Sequence, residues 1–337
     1  MAAPVLETPS PSPPSKDKHF ASPVQGDVGP WCAPQTHGQD ALQDPHNGVG
    51  AGEETGHHRT DMLKRKLKLL ISLGYFAASR SGQALRRLLG RPPAATAVIL
   101  YYHAVKPHER EGFVRQMRML KRLATPVRVD GTAAMAPGQH SVGVTFDDAF
   151  VSVAEQALPI LNELAIPCTI FVPMAYLGRH PVWEQGVHYA DRDETVMTAP
   201  QLRALPRDVV SLGSHTMTHP RLSECTEGKV RRELRLSRQA LEIILGHRIT
   251  LLALPHGAYT PQVLTCAREE GYRRIFTIEP GLLRPGDSQF VAGRVAVSPS
   301  DTPFEFRLKA LGAYNWMPFA SALKRGLRRA LRRRKVI

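Results

Sequence analysis

Between residues 92 and 312 two hydrophobic rhythms take turns. Short apolar, β-branched runs read as strands: AVILYYH (97–103), VGVTF (142–146), CTIFV (168–172), VVSLGS (209–214), ITLLAL (249–254), RRIFTI (273–278) and FVAGRVAV (290–297). Segments of helical period separate them. Phe113, Met117 and Leu120 are in phase over 111–123, and AEQALPILNEL (154–164) forms a second helix in which Pro159 predicts a kink. A long charged helix follows over 224–245, then PQVLTCAREEG, a helix stopped by Gly271. This alternation predicts parallel βα units, closed as a barrel or open as a doubly wound sheet, with chemistry where the strands end.

The flanks follow other patterns. Residues 1–61 are rich in Pro, Gly, Ser and His without apolar period and are expected to be disordered. In 62–90, Leu63, Leu67, Leu70, Gly74, Ala77, Ser81, Leu85 and Leu88 share one helical stripe, with Lys and Arg elsewhere. Its apolar run, 69–78, is too short to span a bilayer. The expected organisation is a disordered 1–61, a basic amphipathic arm over 62–91, a catalytic domain over 92–312 and a basic C-terminal helix over 313–337.

Charge sharpens this division. The chain carries +14, yet 62–91 and 321–337 each hold eight basic and no acidic residues, which leaves the central domain nearly neutral. A nucleic-acid enzyme would spread its basic residues over the catalytic face with aromatics between them, so nucleic acid is an unlikely partner. Basic arms point instead to an anionic membrane surface, with plain solvation as the bland reading. Cys32, Cys168, Cys225 and Cys266 show no paired spacing, and Cys168 reads as a buried hydrophobe. A reduced, cytoplasmic setting follows, peripheral to the membrane. The rival is export, with translation from Met62 and the arm as a signal. Composition says nothing about oligomeric state.

The chemistry sits in two short stretches. In SLGSHTMTHP (211–220), His215 and His219 are four apart, so one turn or a tight loop puts both imidazoles on one side, as a borderline divalent ion such as zinc requires. Gly213 and Ser214 are expected to ease a tight turn just before them. The adjacent carboxylates in VTFDDAF (144–150) would repel each other unless a cation lay nearby. With a metal present, one aspartate can be the third ligand and the other can take a proton from bound water. The residues alone do not say which does which.

TFDD (145–148) followed by SHTMTH (214–219) resembles the polysaccharide deacetylase family, the NodB-homology carbohydrate esterases. LYYHAV (100–105) with FVRQMRML (113–120) is similar to the opening of the branch acting on exopolysaccharides, and ALPHGAYT (253–260) resembles the family's third motif. The resemblance covers about residues 97–300. It implies a distorted, closed or incomplete (β/α) barrel with one divalent metal, zinc first, at its mouth. It further implies hydrolysis of N-acetyl groups from an amino-sugar oligomer or polysaccharide by metal-activated water. In that scheme Asp148, His215 and His219 bind the metal and Asp147 is the base. Pro255, His256, Gly257 and Tyr259 lie on the substrate side.

The sequence departs from the family at two points. Many members begin the third motif with Arg and carry a late His as general acid, whereas here the motif begins Ala253-Leu254 and no His follows His256. His103, ending the first strand, is the replacement acid, and Arg294 the group that orients Asp147. The simpler alternatives are a satisfied strand-end His and a structural ion pair. Trp183 reads as a loop anchor more readily than as a sugar-stacking ring. A non-catalytic module, or an amide hydrolase of other specificity, is the competing reading of the whole domain.

Overall fold

The computed structural model describes residues 51–91, 94–130, 136–183, 190–284 and 289–334. Apart from 51–61, the segment expected to be disordered lies outside them. Helix α1 (Ala51–Leu88) opens the described chain. It starts before the expected 62, so residues 51–61 of the segment expected to be disordered are helical. Strand β1 (Thr96–Tyr102), helix α2 (Arg110–Leu123), the short β2 (Thr125–Pro126) and β3 (His140–Phe146) follow. Next come α3 (Leu158–Glu163), β4 (Cys168–Val172), α4 (Ala199–Ala204), β5 (Val210–Ser214) and α5 (Glu227–Leu245). Strand β6 (Leu251–Ala253), α6 (Pro261–Glu269), β7 (Arg274–Phe276) and the two-residue strands β8 (Leu282–Leu283), β9 (Val291–Ala292) and β10 (Val295–Ala296) lead to α7 (Pro303–Ala310) and α8 (Met317–Arg334).

Along the main path β10-β1-β3-β4-β5-β6-β7-β9 every pairing is parallel. The helical connections between successive strands make these the expected βα units. The sheet curls into a nearly closed barrel, and its closure corrects one expectation. FVAGRVAV does not form one last strand. Val291 and Ala292 pair with Ile275 and Phe276 of β7, whereas Val295 and Ala296 pair with Leu100 and Tyr101 of β1. Gly293 and Arg294 therefore bridge the two edges of the sheet. A side chain at Gly293 would strike the Glu279 carbonyl oxygen at 2.4 Å and the Gly281 nitrogen at 2.7 Å, so only glycine lets the chain cross there. An apolar run shows strand character but not which neighbour it pairs with.

Side-chain parity assigns the two faces of the wall. Val98, Leu100 and Tyr102, Val142, Val144 and Phe146, and Cys168, Ile170 and Val172 join the large core beneath the helices. Ile99, Phe171, Leu251, Ala253, Phe276 and Ala292 form a smaller cluster within the barrel. Burial pushes the Cys168 thiol up to about 12, as suits a small core hydrophobe. Gly213 belongs to this packing and not to a turn, contrary to expectation. It lies inside β5, and a Cβ there would meet the Phe171 ring at 2.6 Å. The helix expected over 154–164 is divided just before Pro159 into a π-helical turn (Val153–Ala157) and α3, with Pro159 in the first turn of α3, where its missing N–H is tolerated.

Helix α1 packs on the domain by an unexpected side. Arg65 bonds Glu305 and Asp301, Ser72 accepts from the Trp316 indole at 2.9 Å, and Leu69 and Phe76 touch the core. The predicted leucine stripe points away. Among the described residues no helix is long and apolar enough to cross a membrane.

Candidate active site

The inward parity of the strands carries on past their ends. Thr145 faces the barrel interior, so Asp147, two residues on, does as well; Gly213 and His215 stand in the same relation on β5. Beyond the strand ends the backbone leaves ordinary conformations. Asp148 (φ 67°), Thr216 (φ 68°), His219 (φ 56°) and His256 (φ 57°) are left-handed, a conformation that costs a non-glycine residue roughly 1–3 kcal/mol. Three of the four are predicted site residues.

Asp148, His215 and His219 are brought together, all buried, with one donor atom from each lying within 4.8 Å of the others. The Nε2 atoms of His215 and His219 stand 3.5 and 3.4 Å from Asp148 Oδ1. These contacts are not ion pairs at neutral pH. Burial pushes the His215 imidazole down to about 4 and pushes His219 down as well, with His215 and His256 adding to the effect. His215 Nδ1 lies 2.9 Å from the Ala253 carbonyl oxygen, which can only accept, so Nδ1 carries the proton and Nε2 presents a lone pair. A lone pair facing a carboxylate oxygen is an arrangement of acceptors. It fits a cation, and the nitrogen, nitrogen and oxygen donors suit a borderline divalent ion.

Asp147 lies beside this cluster in a different setting. Arg294, fully buried, donates from Nη1 to Asp147 Oδ1 at 2.7 Å and from Nη2 to Oδ2 at 2.8 Å. Its remaining donors reach the Thr145 hydroxyl at 3.2 Å and the Thr277 carbonyl at 3.3 Å. Its guanidinium carbon stands 4.7 Å from the Tyr101 ring centroid and 5.4 Å from that of Phe171. Burial alone would raise the Asp147 carboxyl. Arg294, helped by His215, overrides it and holds the group below the usual carboxylate range. The bidentate pair leaves each carboxylate oxygen a further lone pair to accept a proton.

His103 follows β1 at the same mouth, exposed, with its ring 5.7 Å from and edge-on to Tyr101. It is near enough for its charge to act on Asp147, His215, His219 and Asp191. Pro255, His256 and Gly257 form a tight turn after β6, closed by the Gly257 N–H on the Leu254 carbonyl at 2.9 Å with His256 left-handed, and Tyr259 is partly exposed beyond it. The His256 ring lies 5.1 Å from that of His219. Trp183 does more than anchor a loop, since it stacks on His219 at 4.4 Å and 30° and meets Tyr176 edge-on at 4.7 Å.

Sequence reasoning missed Glu233. This buried carboxylate on α5 accepts from the backbone N–H groups of Met217 and Thr218 at 2.9 and 2.8 Å and from the Thr218 hydroxyl at 2.6 Å. It thereby clamps the turn that presents His219. The available signal was a carboxylate in phase with Val230, Leu234 and Leu241 on the buried stripe of α5.

Residues 134–275 match the sequence profile described as polysaccharide deacetylase. Over those residues the chain carries a domain similar to the polysaccharide deacetylases. It is 26% identical over 178 residues to the Bacillus subtilis (strain 168) protein YxkH, covering 53% of this chain and 57% of that one. It is 22% identical over 182 residues to the poly-beta-1,6-N-acetyl-D-glucosamine N-deacetylase of Staphylococcus aureus (strain N315), covering 51% and 58%. The matches therefore span less than two thirds of either relative. Among solved structures, IcaB from Ammonifex degensii superposes with a TM-score of 0.56 at 26% identity, covering 66% of this chain and 98% of that one. Streptococcus pyogenes deacetylase PplD, in complex with acetate, shares the fold with a TM-score of 0.53 at 20% identity over 64% of this chain and 99% of that one.

Proposed function

We propose that this chain is a metal-dependent hydrolase that removes N-acetyl groups from an amino-sugar oligomer or polysaccharide. The observation carrying this reading is the buried constellation of Asp148, His215 and His219 beside an Asp147 held ionised by Arg294. A divalent ion, zinc first, held by those three residues would supply Lewis acidity toward the acetamide carbonyl and a water molecule. Asp147 accepts the proton of the attacking water as general base. Arg294 holds the Asp147 carboxylate at a fixed angle and keeps it ionised until that proton arrives. His103 donates the proton that lets the sugar nitrogen leave as an amine. Pro255 has no N–H and that of Gly257 is taken by the Leu254 carbonyl at 2.9 Å, so the backbone N–H groups of His256, Ala258 and Tyr259 are the donors this turn offers to the developing oxyanion. Trp183 and Tyr176 form an aromatic wall against which a sugar ring can stack.

The name of the Staphylococcus aureus relative favours a β-1,6-linked N-acetylglucosamine polymer among the candidates. The test is acetate release from N-acetylglucosamine oligomers of both β-1,4 and β-1,6 linkage, with the metal content of the same preparation measured. Acetate from either series supports the reading. A metal-loaded protein that releases none overturns it.

A further inference from the structure

Helix α1 presents its more apolar side to solvent. Successive residues turn by about 100°, so Leu63, Leu67, Leu70 and Leu85 share one side, and Arg65, Leu69, Ser72 and Phe76 the opposite one. The second side packs on the domain through the Arg65 ion pairs and the Ser72–Trp316 hydrogen bond. The first is left open, with Leu63 68%, Leu67 57% and Leu70 66% exposed. Helix α8 starts beside it and adds Phe319, 74% exposed, and Leu323, 66% exposed.

From this arrangement we infer that α1, with the start of α8, docks the protein on an anionic lipid bilayer. Charge selects that occupant. Lys64, Lys66 and Lys68 flank the leucines, and the arm has no acidic residue over 62–91. A second copy of the chain would bring two such faces together and set like charge against like. A bilayer takes both features at once, the leucines at the acyl boundary and the lysines among anionic headgroups. This inference stands apart from the proposed reaction, since it uses none of the groups at the barrel mouth.

The experiment is co-sedimentation of the full chain with vesicles of phosphatidylcholine and phosphatidylglycerol at about 3:1, against pure phosphatidylcholine. The expected result is binding to the mixed vesicles that falls tenfold or more in Leu67→Glu/Leu70→Glu and, separately, in Lys64→Glu/Lys66→Glu/Lys68→Glu. Melting temperature and acetate release from a soluble oligomer should stay unchanged in both variants. Three results would overturn the inference: no binding by the unaltered chain, equal binding by either variant, or a lipid-free dimer that Leu67→Glu/Leu70→Glu dissociates.

Discussion

Arg294 and Asp147, 147 residues apart in sequence, meet in the barrel interior through two hydrogen bonds of 2.7 and 2.8 Å. Neither group is stable there without the other. Arg294→Met should leave a buried carboxylate unpaired and lower stability by about 3–5 kcal/mol. Burial would then govern the Asp147 carboxyl and raise it, so the acidic limb of the kcat/KM profile should move to higher pH. Arg294→Lys keeps the charge but loses the planar fork, and should fall between the two. Denaturant titration and a pH–rate profile check both effects.

Asp147→Asn removes the proposed proton acceptor and leaves in place the three side chains proposed to hold the metal. Turnover should fall by about 10²–10⁴-fold with metal content unchanged. His103→Ala should reduce turnover while sparing metal content, and an amine leaving group of lower basicity should recover part of the loss. Steady-state kinetics with elemental analysis read out both variants.

Glu233→Ala should free the turn that carries His219. A group holding a ligand in place is worth about 10–100-fold in metal affinity, so the dissociation constant should rise by that factor. Glu233→Gln keeps one carbonyl acceptor and should recover part of it. Competition with a chromogenic chelator measures the affinity directly, without reference to turnover.

The Arg65–Glu305 contact gives helix α1 an acid-sensitive mooring. Burial alone would raise the Glu305 carboxyl, but the hydrogen bond from Arg65, with Lys309 alongside, brings it below its ordinary value of 4.5. A folded value below the unfolded one adds stability that is fully present above pH 4.5 and lost as pH falls through the folded value. Arg65 is half exposed, so the contact is worth at most about 1 kcal/mol. The protection of α1 amides, taken as exchange relative to the intrinsic rate at each pH, should fall below pH 4.5, and Glu305→Gln should weaken that dependence.

Much of this could be read from the chain because its signals are local. The β-branched runs marked the strands to within a residue or two, and a four-residue spacing placed His215 and His219 on one side. Three features depended on contacts distant in sequence and were not readable. FVAGRVAV looks like one strand, and only β1 and β7 divide it. Glu233 looks like any carboxylate on a charged helix until the 217–218 turn settles on it. The leucine stripe of α1 was plain, but periodicity cannot tell which side of a helix meets its own domain.

The crossing at Gly293 and Arg294 has a consequence for how the protein is made. The residue that readies the base rides on the segment that shuts the barrel, 147 positions after that base. A nascent chain that has emerged through β7 already holds Asp147, Asp148, His215 and His219, yet lacks the guanidinium that keeps Asp147 ionised. On the proposed mechanism, competence would therefore come late in synthesis, and a product truncated before β9 would carry the proposed ligands without the group that readies the proposed base.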